Sequence, residues 1–211
     1  FDFDGTITYF DTFRLFLLIR MSSTKYWKEI SIELLRFLKH RDKYDFRVKL
    51  QEIVWNDPEE RGIFFKRIIK SNFFRLIIRD DVFTFFKKIV KKNKVLVITA
   101  NEKSLVKTFL DYYFVDDVIN IDIIGSQFNI KNSKLIKGKM KYLALKKYIK
   151  KQNNFDNLKI YSFFDSKSDM FMSKITNLNI VVGKLNYFCI KRTFPKVICF
   201  FDFLKLSNTY Y

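Results

Sequence analysis

FDFDGTIT, residues Phe1 to Thr8, opens the chain with two carboxylates two positions apart and a Gly-Thr turn behind them. In an extended backbone successive side chains point to opposite faces, so Phe1 and Phe3 share one face and Asp2 and Asp4 the other. Gly5 then permits a sharp turn. Like charges set side by side at a strand's end repel, which a purely structural role explains poorly. A cation, or a task needing two differently protonated carboxyls, accounts for them better.

Outward from this stretch the pattern is helical for a long way. Residues from about Asp11 to Asn93 read as nearly continuous helix. The periodicity is plain from Lys25 to His40, where Trp27, Ile30, Ile32, Leu34, Leu35 and Leu38 fall on one broad face. Asp57-Pro58-Glu59-Glu60 is a helix start, with Asp57 as N-cap and Pro58 at the first position, and a further helix is expected over Val82–Lys92.

Beyond Asn93 the period changes. KVLVIT (Lys94–Thr99) is a short apolar, β-branched run and reads as a buried strand, with Ala100 and Asn101 opening a helix that reaches Tyr113. Val118–Gly125 is strand-like, and Phe128–Leu135, with Asn132-Ser133 at its centre, suggests a hairpin. Gly138–Lys151 is helical, Leu158–Phe164 a strand, Lys167 begins a short helix, and Asn179–Val182 is a last core strand; Tyr187–Tyr211 carries no clear pattern. Strands alternating with helices predict an α/β fold, a doubly wound and mostly parallel sheet. Chemistry in such sheets lies at the carboxyl ends of the strands. The opening segment would join that sheet, with the long helical stretch inserted after it.

Composition sets bounds. The chain has 211 residues, 48% of them hydrophobic, enough for a substantial core. Its 26 Phe, with many Lys, Asn and Ile, resemble the usage of an AT-rich genome. The formal charge of +18 invites a nucleic-acid reading. The lysines, however, sit on helix faces meant for solvent (Lys87, Lys88, Lys91, Lys92; Lys146, Lys147, Lys150, Lys151), and no nucleic-acid signature accompanies them. An attraction for anionic substrates is the expectation instead. Cys189 and Cys199 lack metal-site spacing and read as buried apolar residues in a reducing, cytoplasmic setting. Apolar runs such as Leu15–Ile19 fall short of the ~20 residues of a membrane span. The chain does not start with Met, so the natural protein is expected to begin upstream.

Three strand ends carry polar residues: Asp2 and Asp4, then Thr99, then Asp165 with Asp169 one helical turn on. Gly138-Lys139-Met140-Lys141 leads towards the last of these. Hard carboxylate oxygens suit Mg²⁺, while a hydroxyl, an ammonium and helix N-terminal amides suit phosphate oxygens.

In their order and rough spacing these four segments resemble the motifs of the haloacid dehalogenase superfamily, and FDFDGTIT with Asp11-Thr12 is particularly similar to its phosphoserine-phosphatase-like members. The resemblance runs from Phe1 to about Val182. It implies a Rossmann-like core at residues 1–10 and 81–211 and a helical cap at 11–80. It also implies Mg²⁺-dependent hydrolysis of a small phosphorylated metabolite through an aspartyl-phosphate. Asp2 would be the nucleophile and Asp4 the general acid and later base. Asp2, the carbonyl of Asp4 and Asp165 would hold Mg²⁺, with Asp169 supporting them. Thr99, Ala100 and a lysine would bind the phosphoryl group. The glycine three positions earlier selects Lys141, with Lys137 and Lys139 as alternatives. A carboxyl at Asp4 points to phosphatases or phosphomutases. A phosphotransferase or mutase, or a catalytically silent basic binding protein, are the rival readings. Phe164 departs from the pattern, which often has glycine there, and either narrows the site or fills space between strand and helix. His40 is expected on the surface of the cap.

Overall fold

The run Val95–Glu102 forms β1, and every described strand that pairs with another does so in parallel. The computed structural model of the chain describes residues 1–21, 57–114, 120–127, 134–152 and 158–208, with single positions 28, 31, 32 and 35. Ahead of β1 lie α1 (Thr12–Met21), α2 (Pro58–Ile69), α3 (Asn72–Leu76) and α4 (Asp80–Val90). After it come α5 (Lys103–Tyr113), β2 (Ile121–Ser126), α6 (Lys139–Lys150), β3 (Tyr161–Phe164) and a 3₁₀ helix (Lys167–Lys174). The described chain ends with β4 (Leu178–Val181), α7 (Lys184–Lys191), β5 (Ile198–Cys199) and α8 (Phe200–Asn208).

The strands form two groups, β1 with β2 and β3-β4-β5. Phe1 and Asp2 join them. The backbone nitrogen of Phe1 donates to Leu96 O (2.8 Å), Ile98 N–H donates to Phe1 O (2.9 Å), and Asp2 N–H donates to Phe163 O (2.9 Å). This is the slanted pattern of a parallel ladder. The expected opening strand is thus too short to stand as a strand of its own, yet Phe1 and Asp2 bridge the two groups in the order β2, β1, Phe1–Asp2, β3, β4, β5.

Alternation along the strands separates two apolar layers. Val95 and Val97 pack with α4 and α5 through Phe83, Phe86, Val106 and Phe109. Leu96 and Ile98 face the other way, onto Leu145 and Ile149 of α6 and Met172 of the 3₁₀ helix. The same division recurs in β3 and β4. Phe163 and Ile180 pack with α4 and α8, and Phe164 and Val181 with Ile190 of α7. Phe1 ties the halves together by stacking on Phe163 (centroids 4.1 Å apart) and meeting Phe86 edge-on (4.9 Å). Phe86 and Phe163 are buried while Phe1 is partly so, and burying such a ring fully contributes roughly 1.5–3 kcal/mol. The sheet is therefore covered by helices on both faces, the doubly wound arrangement read from the sequence.

Several expectations are corrected in detail. The helical region before β1 is interrupted at Lys70–Ser71 and again at Ile77–Arg79, where Ser71 caps α3 by accepting from Phe74 N–H (3.2 Å). Asp57 does cap α2, accepting from Glu59 N–H, with Pro58 at the start. β1 runs three residues beyond Thr99, so Ala100 and Asn101 lie in the strand and α5 opens only at Lys103. The expected hairpin is paired at its ends, where Gln127 and Lys134 exchange two hydrogen bonds (2.9 and 2.7 Å); its turn lies outside the described residues. Of the stretch Lys25–His40, only positions 28, 31, 32 and 35 are described; they are helical, and Ile32 and Leu35 are exposed. Trp27, Ile30, Leu34, Leu38 and His40 lie outside the described residues. Cys189 is exposed, against expectation, and Cys199 is buried. The unassigned tail forms most of α7, then β5 and α8. Among the described residues, α1, α2 and α3 contribute Phe13, Phe16, Phe65 and Phe74 to the same apolar cluster as β1 and α5. No described helix is long and apolar enough to cross a membrane.

Candidate active site

The bridging segment, β1 and β3 all end at one edge of the sheet, and the polar residues of the sequence motifs meet there. Asp2 is buried, and its Oδ1 accepts from Phe3 N–H (2.7 Å) and lies 2.8 Å from Lys141 Nζ. The same ammonium stands 2.9 Å from Asp169 Oδ1. Lys141 is only 2% exposed, a rare position for a lysine unless it is paired. It projects from the first turn of α6, whose N-cap Gly138 has φ +54°, a conformation that other residues rarely adopt.

Asp165 follows β3 directly, and Asp169 lies in the first turn of the 3₁₀ helix. One carboxylate oxygen from each of Asp2, Asp165 and Asp169 falls within 4.8 Å of the others. Ser166 and Ser168 donate to the two oxygens of Asp169, both at 3.3 Å. Gly5, at φ +74°, makes room for this cluster, because a Cβ there would sit 2.0 Å from Asp165 Oδ2.

Crowding acids in a dry place shifts their protonation. Burial pushes the Asp2 carboxyl well above the usual carboxylate range, against the pull of Lys141 and with the help of Asp169. Burial, then the negative charge of Asp169, pushes Asp165 up to about 6. For Lys141 burial acts downward, but the charges of Asp2 and Asp169 together outweigh it and the ammonium is held more firmly than usual. Three carboxylates against one ammonium leave an excess of negative charge on hard oxygen donors, and this donor set fits a divalent cation.

Asp4 faces the same cavity from another side. Its Oδ1 accepts from Thr12 N–H (2.9 Å) and Thr12 Oγ1–H (2.6 Å), and its Oδ2 from Asn101 Nδ2 (3.1 Å). Thr99 is fully buried and absent from the cavity lining, and its Oγ1 accepts from Asn101 N–H (2.9 Å). The cavity has a volume of about 220 Å³. The opening segment lines it with Asp2, Asp4, Gly5, Tyr9 and Asp11, and β1 lines it with Ala100. Lys137, Lys141, Asp165, Ser166 and Ser168 complete the wall.

The chain matches the family of haloacid dehalogenase-like hydrolases over residues 1–174. It belongs to that family. No curated protein matches the chain. Two solved structures share the hydrolase's fold over nearly its whole length. One is a protein of unknown function from Bordetella pertussis Tohama I, 10% identical, with a TM-score of 0.71 over 94% of this chain and 95% of that one. The other is a phosphoserine phosphohydrolase-like protein from Francisella tularensis subsp. tularensis SCHU S4, 13% identical, with a TM-score of 0.60 over 99% and 96%.

Within this haloacid dehalogenase-like hydrolase, the three candidate lysines separate cleanly. Lys141 is sealed against Asp2, Lys137 is exposed but lines the cavity, and Lys139 is exposed and absent from the lining. Phe164 is fully buried with Met170, Val181, Ile190 and Val197, so it fills space between strand and helix and leaves the cavity alone. Sequence reasoning missed Asn101 because a helix start was expected there. The available signal was its position two residues past Thr99, on the same side of an extended strand.

Proposed function

We propose that this hydrolase is a Mg²⁺-dependent phosphatase that cleaves a small phosphomonoester through an aspartyl-phosphate on Asp2. The observation that carries the reading is the setting of Asp2: a carboxylate buried at the cavity wall, held by Lys141 Nζ at 2.8 Å and Phe3 N–H at 2.7 Å, with two further carboxylates beside it. The phosphohydrolase-like protein of the same fold supports it. Asp2, Asp165 and Asp169, with the backbone carbonyl of Asp4, would hold Mg²⁺. The cation, when bound, would offset carboxylate repulsion and polarise the phosphoryl group.

In the first half-reaction an Asp2 carboxylate oxygen forms a bond to phosphorus as the bond to the leaving oxygen breaks. Asp4 gives its proton to that oxygen and is left as carboxylate. In the second, a water attacks phosphorus, Asp4 takes the water's proton, and the Asp2–phosphorus bond breaks to release inorganic phosphate. Thr99 accepts from Asn101 N–H and so retains its hydroxyl proton to donate towards a phosphoryl oxygen; Lys141 supplies positive charge, and Ala100 a backbone amide. We take residues 11–80 as a cap that excludes water when closed over residues 1–10 and 81–211. A cavity of about 220 Å³ suits a small phosphorylated metabolite. The two unpaired cysteines accord with a cytoplasmic setting.

The test is phosphate release from nitrophenyl phosphate with Mg²⁺, with EDTA, and in Asp2→Asn, combined with acid-quench mass spectrometry. Turnover should need both Mg²⁺ and Asp2, and Asp4→Asn should accumulate a phosphoryl group on Asp2. Substantial turnover in Asp2→Asn, or in EDTA, would overturn the mechanism.

A further inference from the structure

Asn101 is 1% exposed and is absent from the cavity lining, yet its side chain reaches Asp4 across a sequence separation of 97 residues. Its amide is fixed at both ends. Oδ1 accepts from Glu102 N–H (2.8 Å), which leaves Nδ2 to face the carboxyl. Nδ2 carries two hydrogens, directed to Asp4 Oδ2 (3.1 Å) and Thr12 Oγ1 (2.6 Å). Thr12 donates its hydroxyl O–H to Asp4 Oδ1 (2.6 Å) and its backbone N–H to the same oxygen (2.9 Å). The Asp4 carboxyl is therefore gripped on both oxygens by two side chains that are themselves buried and hydrogen-bonded to each other. A single donor leaves a carboxyl free to rotate about its χ2 axis; donors on both oxygens fix its plane.

We propose that Asn101, acting with Thr12, is a positioning residue that sets the plane of the Asp4 carboxyl so that its proton points at the leaving oxygen. This rests on the assignment of Asp4 as the proton donor given above. Proton donation is worth most when the departing oxygen is strongly basic, and it depends on the reacting atoms being held in line. Loosening Asp4 should consequently harm poor leaving groups selectively. Loss of a merely structural contact should harm all substrates alike.

The experiment measures kcat/KM, which reads the steps up to phosphoenzyme formation, for aryl and alkyl phosphates of graded leaving-group basicity. Wild type, Asp2→Asn, Asp4→Asn, Asn101→Ala, Asn101→Asp and the double variant Asp4→Asn/Asn101→Ala are compared. Asn101→Asp keeps the side chain's shape and its Oδ1 acceptor, so it serves if Asn101→Ala fails to fold. The loss in either Asn101 variant should be about tenfold or more larger on an alkyl phosphate than on nitrophenyl phosphate. Asn101→Ala should add nothing once Asp4→Asn is present. An equal loss on every substrate, no loss at all, or a further loss in the double variant would overturn the proposal while leaving the phosphatase reading intact. A wild type without phosphatase activity, or one indifferent to Asp2→Asn, would overturn both.

Discussion

Lys141 Nζ and Asp2 Oδ1 stand 2.8 Å apart, both side chains buried at the wall of the cavity. The ammonium is shared with Asp169, so one cation serves two buried carboxylates. A buried pair of this kind is costly to break, because removing one partner strands the other's charge.

Lys141→Met should therefore do two things at once. It should destabilise the fold by about 3–5 kcal/mol, read as a fall in melting temperature, and lower turnover by at least ~10²-fold. Lys139→Ala changes an exposed side chain outside the cavity lining and should leave both quantities near the wild type. If the two variants behave alike, Lys141 is not the lysine that matters.

Gly5→Ala should damage metal binding from a distance of one side chain. The new Cβ would meet Asp165 Oδ2 at 2.0 Å, and the backbone there, at φ +74°, resists any side chain. Asp165 must move away from Asp2 and Asp169. Calorimetric titration with Mg²⁺ should show a severe loss of affinity in Gly5→Ala, similar to that in Asp165→Asn. Unchanged affinity in both variants would remove Asp165 from the metal site.

Glu102 offers a test of pH dependence. Burial holds its carboxyl above the ordinary value of 4.5, and Ser104 Oγ–H and the Arg61 guanidinium at 3.3 Å offset this only in part. The folded protein thus holds this proton more tightly than the unfolded chain. The group's contribution is fully present below about pH 4.5 and is lost as pH rises through the raised folded value. Denaturant midpoints measured across this window should show wild type losing ground to Glu102→Gln as pH increases. The opposite slope would mean that the Arg61 ion pair outweighs burial.

Thr6 is fully buried, and its Oγ1 has no hydrogen-bond partner among the described residues. Burying an unsatisfied hydroxyl costs stability, whereas valine has the same shape without it. Thr6→Val should melt at the same temperature or higher, by up to about 1 kcal/mol of added stability. A clear drop would show that the hydroxyl is satisfied in solution.

The parts of this molecule that local chemistry controls were legible in its sequence. KVLVIT reads as a covered strand and Asp57-Pro58 as a helix start, and both are so in the structure. Asp2, Asp4, Asp165 and Asp169 were named from their places at or just past strand ends. The fold sets Asp2, Asp4 and Asp165 in the wall of one cavity, with Asp169 fully buried behind it and paired to Lys141. What escaped was set by tertiary contact. Ala100 and Asn101 have side chains that neither favour nor forbid a strand, and β1 continues through them because Ser126 Oγ–H donates to Ala100 O at 2.8 Å and Asn101 is held by Asp4. Ile198–Cys199 pairs over two residues only, with β4, and so has no period to read. The direction of Phe164 depended on which sheet face lay opposite α7, and no local pattern carries that.

The three hydrogen bonds that Phe1 and Asp2 make to β1 and β3 also bear on how the protein assembles. Each half of the sheet can pair its own strands from nearby stretches of chain, but the seam between them closes only when the first residues find a partner 95 positions away. Contacts of such long sequence range form late, since their loop entropy must be met before they return anything. Asp2 lies in that seam. With Asp2 in its proposed role, activity recovered in a refolding experiment should return no earlier than the docking of the two halves, even where secondary structure is regained before it.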